Sequence, residues 1–227
     1  MTPVWHPSPN FSSRRGDARP SLVVLHYTGM ATASAALARL CDPVAEVSAH
    51  YLIAETGVVT ALVAEEMRAW HAGAGEWAGI TDVNSHSIGI ELANDGAEPF
   101  AHRQMQALEQ MLRGIRARWK IAPNRIIGHS DMAPTRKRDP GPRFDWRRLA
   151  LQGLSVWPDA TEKTGETADF TADLLRFGYP DASPAVLLKT FRLRFRPAAF
   201  GPLDGTDLAM ISDLSRRFPV DGQWPSA

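Results

Sequence analysis

The chain has 227 residues, 44% of them hydrophobic and 22% charged, with 25 Lys and Arg balanced by 25 Asp and Glu. That composition fits a soluble globular protein and excludes a disordered or membrane-embedded one, and the zero formal net charge argues against nucleic acid as a partner. The length suits one moderate domain with a buried core and leaves room for a small second one.

The opening stretch to Pro20 carries Trp5, His6, Asn10, arginines and an aspartate but no apolar run, so no secretory signal is read there. No segment reaches transmembrane length. The single cysteine, Cys41, lies in an Ala/Leu-rich stretch, which excludes an internal disulfide and a Cys-based zinc knuckle. It reads as a small core residue, with a catalytic thiol as the alternative. These features favour the cytoplasm, with the periplasm as the alternative if an export signal has been trimmed.

In chain order, Ser21 to His26 is continuously apolar and β-branched, which predicts a strand buried on both faces with His26 at its end. Thr32 to Leu40 predicts a helix, and His50 to Ile53 with Val58 to Val63 predicts a hairpin around Gly57. In Ser87 to Leu92, Ile88, Ile90 and Leu92 share one strand face, leaving Ser87, Gly89 and Glu91 on the other. From Ala101 to Lys120, Met105, Leu108, Met111, Leu112, Ile115 and Trp119 recur at helical steps and predict a long amphipathic helix over the sheet. Arg125 to His129 predicts another short strand ending in histidine, followed by an irregular loop over 134–142. After Leu154 the composition turns polar and aperiodic, as in a linker. Three helical patterns follow at Ala168 to Phe177, Ser183 to Phe195 and Thr206 to Phe218.

Zinc hydrolysis needs three protein ligands and one open position, and histidines at strand ends beside a carboxylate suit it. His26, His129 and Asp139 are the candidates. Alone, a pair of strand-end histidines is more often structural than metal-binding. The context is the segment Gly128-His-Ser-Asp-Met-Ala-Pro-Thr-Arg-Lys137-Arg-Asp139-Pro-Gly-Pro-Arg-Phe144-Asp-Trp146. It resembles the second metal-binding stretch of the zinc-dependent N-acetylmuramoyl-L-alanine amidases of the AmpD and AmiD type, a family shared with phage T7 lysozyme and peptidoglycan recognition proteins. Ser8-Pro-Asn-Phe11, Val24-Leu-His26-Tyr-Thr-Gly, Ser48-Ala-His-Tyr-Leu-Ile53, Trp70-His71-Ala-Gly73 and Asn84-Ser-His-Ser-Ile-Gly-Ile-Glu91 stand in family order. Several motifs in one order are more specific than any one of them.

The resemblance implies an α/β fold, a central mixed β-sheet flanked by helices, with zinc held by His26, His129 and Asp139. It implies Glu91 as general acid/base and Lys137 as stabiliser of the oxyanion. Without it, Glu91 reads as an ion-paired carboxylate and Lys137 as a solvated charge. His71 and Asn94 fall around the family's substrate cleft. Arg138, with Arg136 and Arg143, could grip a stem-peptide carboxylate or simply be solvated. His50 and His86 read as structural hydrogen-bonding residues, His6 and His102 as surface residues. The C-terminal helices resemble more loosely a small three-helix peptidoglycan-binding domain, on Leu174-Leu-Arg-Phe-Gly178-Tyr179, Leu188 to Pro197 and Gly201 to Leu208. The expected division is 1–154 catalytic, 155–166 linker and 167–227 three-helix domain.

The implied activity is cleavage of the amide between N-acetylmuramic acid, in its 1,6-anhydro form, and L-alanine during peptidoglycan recycling, by a monomer whose partners are muropeptides. The alternatives are an exported amidase acting on polymeric wall, a recognition module that binds without cutting, and another zinc hydrolase of wall peptides.

Overall fold

The computed structural model describes residues 2–159 and 169–220. Its elements are β1 (Val4–Trp5), β2 (Phe11–Ser13), β3 (Leu22–Tyr27), α1 (Ala33–Cys41), β4 (Tyr51–Ile53), β5 (Val59–Ala61), β6 (Met67–Ala69), α2 (Val83–His86), β7 (Ser87–Leu92), α3 (His102–Trp119), β8 (Ile126–Gly128), α4 (His129–Met132), α5 (Trp146–Leu151), α6 (Phe170–Phe177), α7 (Pro184–Phe195) and α8 (Gly205–Arg217). Six strands form a mixed sheet in the order β1-β5-β4-β7-β3-β8, and β2 pairs with β6 in a separate ribbon. β3 lies parallel to both β7 and β8, while β4 and β5 form the antiparallel hairpin expected around Gly57. The left-handed φ of 86° at Gly57 is what that turn requires. Among the described residues no helix is long and apolar enough to cross a membrane.

Strand alternation decides what each face of the sheet does. Val23 and Leu25, with Ile88, Ile90 and Leu92, pack under α3 through Met105, Leu108, Leu112 and Ile115, as the helical spacing of those residues requires. The opposite face of β3 presents Leu22, Val24 and then His26. Leu22 and Val24 are buried in a second cluster, and His26 continues their row into the cleft described below.

That second cluster also takes in the C-terminal helices. Phe170, Leu174, Phe177, Leu187, Phe191, Phe195, Ile211 and Leu214 pack with Leu22, Val24, Trp77, Ile127 and Met132 in one continuous core. The linker expected from 155 is not solvated at its start, because Ser155 and Val156 are buried; its residues 160–166 lie outside the described ones. A buried ion pair ties the halves together. Arg194 on α7 donates to Asp131 Oδ2 on α4 at 2.7 Å and stacks 4.2 Å from the centre of the Trp146 ring. Tyr179 donates to the other oxygen of Asp131 at 2.8 Å.

The end of the strand before His129 differs from the sequence expectation. His129 does not end a strand; it opens the short helix α4, because Asp131 Oδ2 accepts the Gly128 N–H at 2.8 Å and turns the chain there.

Candidate active site

Register brings the candidate residues together. β3 and β7 pair with His26 opposite Glu91, and β3 and β8 pair with Leu25 opposite Gly128, so His129 follows immediately beside His26. The loop over 134–142 then returns Asp139 to the same point. This is the carboxyl end of three parallel strands, where open α/β sheets place ligands.

His26 Nδ1 and His129 Nδ1 lie 2.9 Å apart, and each is 3.0 Å from Asp139 Oδ2. All three residues are buried, and together they form a group able to hold a metal ion. His129 Nε2 donates to the Ala72 carbonyl at 2.8 Å, which leaves Nδ1 bare and pointing at the other two. Burial, and secondarily the neighbouring His129, lower the pKa of His26 to about 4, so it is a neutral imidazole at physiological pH. For Asp139 burial pushes upward, but the close approach of the His129 and His26 rings outweighs it and holds the carboxyl well below the usual carboxylate range.

Glu91 faces the same cleft from β7, as the alternation of that strand predicts. Its Oε2 is buried and has no hydrogen-bond partner among the described residues. Burial, reinforced by the negative charge of Asp139 and opposed by Lys137, raises its pKa well above the ordinary value. Lys137 and Arg138 line the cleft, whose volume is about 430 Å³.

The remaining expected residues divide. His71 lies against His26, with its Nδ1 3.1 Å from His26 Nε2 and its Nε2 3.2 Å from Ser87 Oγ. Asn94 sits on the adjoining loop outside the residues that line the cleft; its side chain accepts from Gly96 N–H and donates to the Glu98 carbonyl, closing that loop on itself. Arg136 is pinned to the carbonyls of Ala72 and Ala74. Arg143 is exposed and away from the cleft. His86 Nδ1 lies 3.0 Å from the Asp82 carbonyl. Asn84 was not singled out from the sequence, yet its Oδ1 accepts from the N–H groups of both His71 and Ala72; a polar residue in a motif just before a strand was the available signal.

His50 is fully buried and is structural. Its Nδ1 accepts the Gly89 N–H at 2.9 Å, and its Nε2 lies 3.1 Å from the Met67 carbonyl, which only the neutral ring satisfies. Burial is the largest influence on it; with Arg14 nearby and against opposing effects of Met67 and Glu65, its pKa falls from 6.5 to about 4. Above pH 6.5 its contribution to stability is complete; as the pH falls toward 4 the unfolded chain binds a proton that the folded ring refuses. That linkage removes up to about 3 kcal/mol. Denaturant midpoints measured across this range should fall steeply in the wild type and less steeply in His50→Asn.

A larger hollow, about 680 Å³, lies beside α3 and is lined by Tyr51, Glu65, Arg118 and Trp119. It is not the reactive site: Glu65 already accepts from Tyr51, Trp119 and, through both oxygens, Arg118.

A mixed sheet that buries two histidines and an aspartate around one point, beside a carboxylate with an oxygen unpartnered among the described residues, offers the donor set of a hydrolytic metal centre. The chain belongs to the N-acetylmuramoyl-L-alanine amidase family, whose sequence model matches residues 16–142. It is 36% identical to the N-acetylmuramoyl-L-alanine amidase AmiD of Escherichia coli (strain K12) over 89% of this chain and 85% of that one. It is 35% identical to the 1,6-anhydro-N-acetylmuramyl-L-alanine amidase AmpD of Salmonella typhimurium (strain SL1344) over 68% of this chain and 92% of the relative. The solved complex of E. coli AmiD with anhydro-N-acetylmuramic acid-L-Ala-D-gamma-Glu-L-Lys is similar with a TM-score of 0.81 and 34% identity, covering 92% of this chain and 94% of that one.

Proposed function

We propose that this enzyme hydrolyses the amide joining the lactyl group of 1,6-anhydro-N-acetylmuramic acid to L-alanine of the stem peptide, with zinc held by His26, His129 and Asp139. The observation that carries the reading is the convergence of those three ligand atoms beside the unpartnered oxygen of Glu91. The E. coli relative was solved with a substrate of this kind, and the Salmonella relative is named for the anhydro sugar.

The donor set fits zinc. Tetrahedral ligands at about 2.0–2.1 Å from the metal stand about 3.3 Å apart, close to the 2.9–3.0 Å separations of the two Nδ1 atoms and Asp139 Oδ2. Two imidazoles and one carboxylate suit its ligand preferences. When bound, zinc lowers the pKa of a coordinated water to about 7 and polarises the carbonyl under attack.

The protein supplies the remaining chemistry. Glu91 takes the proton of the attacking water and delivers it to the nitrogen of the departing L-alanine, which must leave as an amine. Its raised proton affinity suits a group that both accepts and returns a proton. Lys137 faces the same cleft and would stabilise the negative charge that develops on the lactyl oxygen. Arg138 lines the same cleft and would pair with a stem-peptide carboxylate.

Dialysis against a chelator should reduce cleavage of the anhydro-muropeptide to background, and stoichiometric zinc should restore it. An unchanged rate in demonstrably metal-free protein would refute the zinc reading. A second reading, action on polymeric wall, rests on the loose resemblance of the C-terminal helices to a small peptidoglycan-binding domain. Parallel assays on the soluble fragment and on intact sacculi separate the two. Cleavage of the fragment alone supports recycling, and peptide release from sacculi supports a wall-acting enzyme.

A further inference from the structure

We propose that the segment His71–Ala72 orients both zinc histidines, His71 acting through its side chain on His26 and Ala72 through its carbonyl on His129. The inference rests on the zinc reading above and concerns residues that do not themselves touch the metal. The argument follows the protons one by one. Ser87 Oγ donates to the Val83 carbonyl at 2.6 Å, so its only hydroxyl proton is committed. The contact between Ser87 Oγ and His71 Nε2 at 3.2 Å is then made by a proton on the histidine. Neutral His71 carrying its proton on Nε2 has a bare Nδ1, and that atom accepts from His26 Nε2 at 3.1 Å. His26 is thereby held with Nδ1 bare, the atom that points at His129 and Asp139. For His129 the same work is done by the Ala72 carbonyl, 2.8 Å from Nε2.

The segment is itself held on both sides. Asn84 Oδ1 accepts from the N–H groups of His71 and Ala72 at 3.1 and 2.9 Å, and Arg136 donates to the Ala72 carbonyl at 2.6 Å. The His71 ring lies directly on the backbone of β7: a Cβ on Gly89 would come within 2.4 Å of its Cγ. This accounts for a glycine in the middle of a buried strand, where it otherwise weakens packing. With both ring nitrogens engaged, His71 has no free nitrogen for a sugar or peptide. It is a positioning residue, and outer partners of this kind set ligand tautomer and basicity.

The test measures zinc affinity by competition with a chromophoric chelator, the visible spectrum of the cobalt-substituted protein, and kcat and KM on the anhydro-muropeptide. His71→Leu removes the acceptor and should weaken zinc binding roughly 10- to 100-fold and alter the cobalt bands, with KM unchanged. His71→Asn, which puts an oxygen near the place of Nδ1, should recover most of the affinity. Ser87→Ala frees the His71 tautomer and should weaken binding by a smaller factor; if His71→Leu does not fold, this variant and His71→Asn decide the matter. Wild-type zinc affinity and cobalt spectrum in the His71 variants with a raised KM would overturn the proposal and make His71 a substrate contact. A wild-type protein that takes up no zinc would instead overturn the zinc reading on which the proposal rests.

Discussion

Glu91→Gln should lower kcat by about two to four orders of magnitude, while KM and zinc content stay near wild type. Glutamine keeps the size and the hydrogen-bonding capacity of the side chain but can neither accept the proton of the attacking water nor return one to the leaving amine. No other carboxylate lining the cleft can take over. Asp139, the only other one among the described residues that line it, lies 3.0 Å from Nδ1 of both His26 and His129 and belongs to the ligand group. Glu91 lies outside the three-residue ligand group, so the metal should be retained. Steady-state kinetics with metal analysis on the same preparation checks this, and a kcat within about tenfold of wild type would contradict the assigned role.

Arg194→Met should destabilise the protein by about 3–5 kcal/mol, because it leaves the carboxylate of Asp131 buried beside Tyr179 without its cation. In a chain of this size the melting temperature should fall by roughly 10 °C. The guanidinium also donates to the Ile126 carbonyl and Ser155 Oγ and stacks on Trp146. One side chain therefore links α7, β8, α4 and the start of α5. Adding Asp131→Asn should cost less than the sum of the two single changes, since the unpaired charge is then gone. Differential scanning calorimetry on the single and double variants tests both statements, and a loss below about 1 kcal/mol for Arg194→Met would show that the pair does not couple the C-terminal helices to the sheet.

The parts of the fold that were legible in the sequence are those with strong periodicity. β3 reads as a buried strand from an unbroken apolar run, α3 from its three- and four-residue apolar steps, and β7 from an alternation that also told which face carries Glu91. The β2–β6 ribbon was not legible, because Phe11 to Ser13 is mostly exposed and carries no apolar alternation. Nor was the turn at Gly128, where a single aspartate side chain ends the strand and starts a helix before His129.

The C-terminal helices were readable one by one, but their packing was not. The polar run after Leu154 suggests a separate unit, whereas Arg194 and Asp131, 63 positions apart, meet in the interior, and no local pattern announces a contact of that range. The ligand set His26, His129 and Asp139 was visible only through several motifs standing in one order. The support beneath it was hidden for the same reason as the ion pair, since the orientation of His71 depends on Ser87 and Gly89 of a neighbouring strand.

The most direct test of the central claim is hydrolysis of 1,6-anhydro-N-acetylmuramyl-tripeptide in water enriched in oxygen-18, with the products weighed by mass spectrometry. The account predicts one labelled oxygen in the lactyl carboxylate of the sugar product and an unlabelled free tripeptide that begins with L-alanine. Label in a peptide carboxylate, or no cleavage by protein with zinc bound, would contradict it.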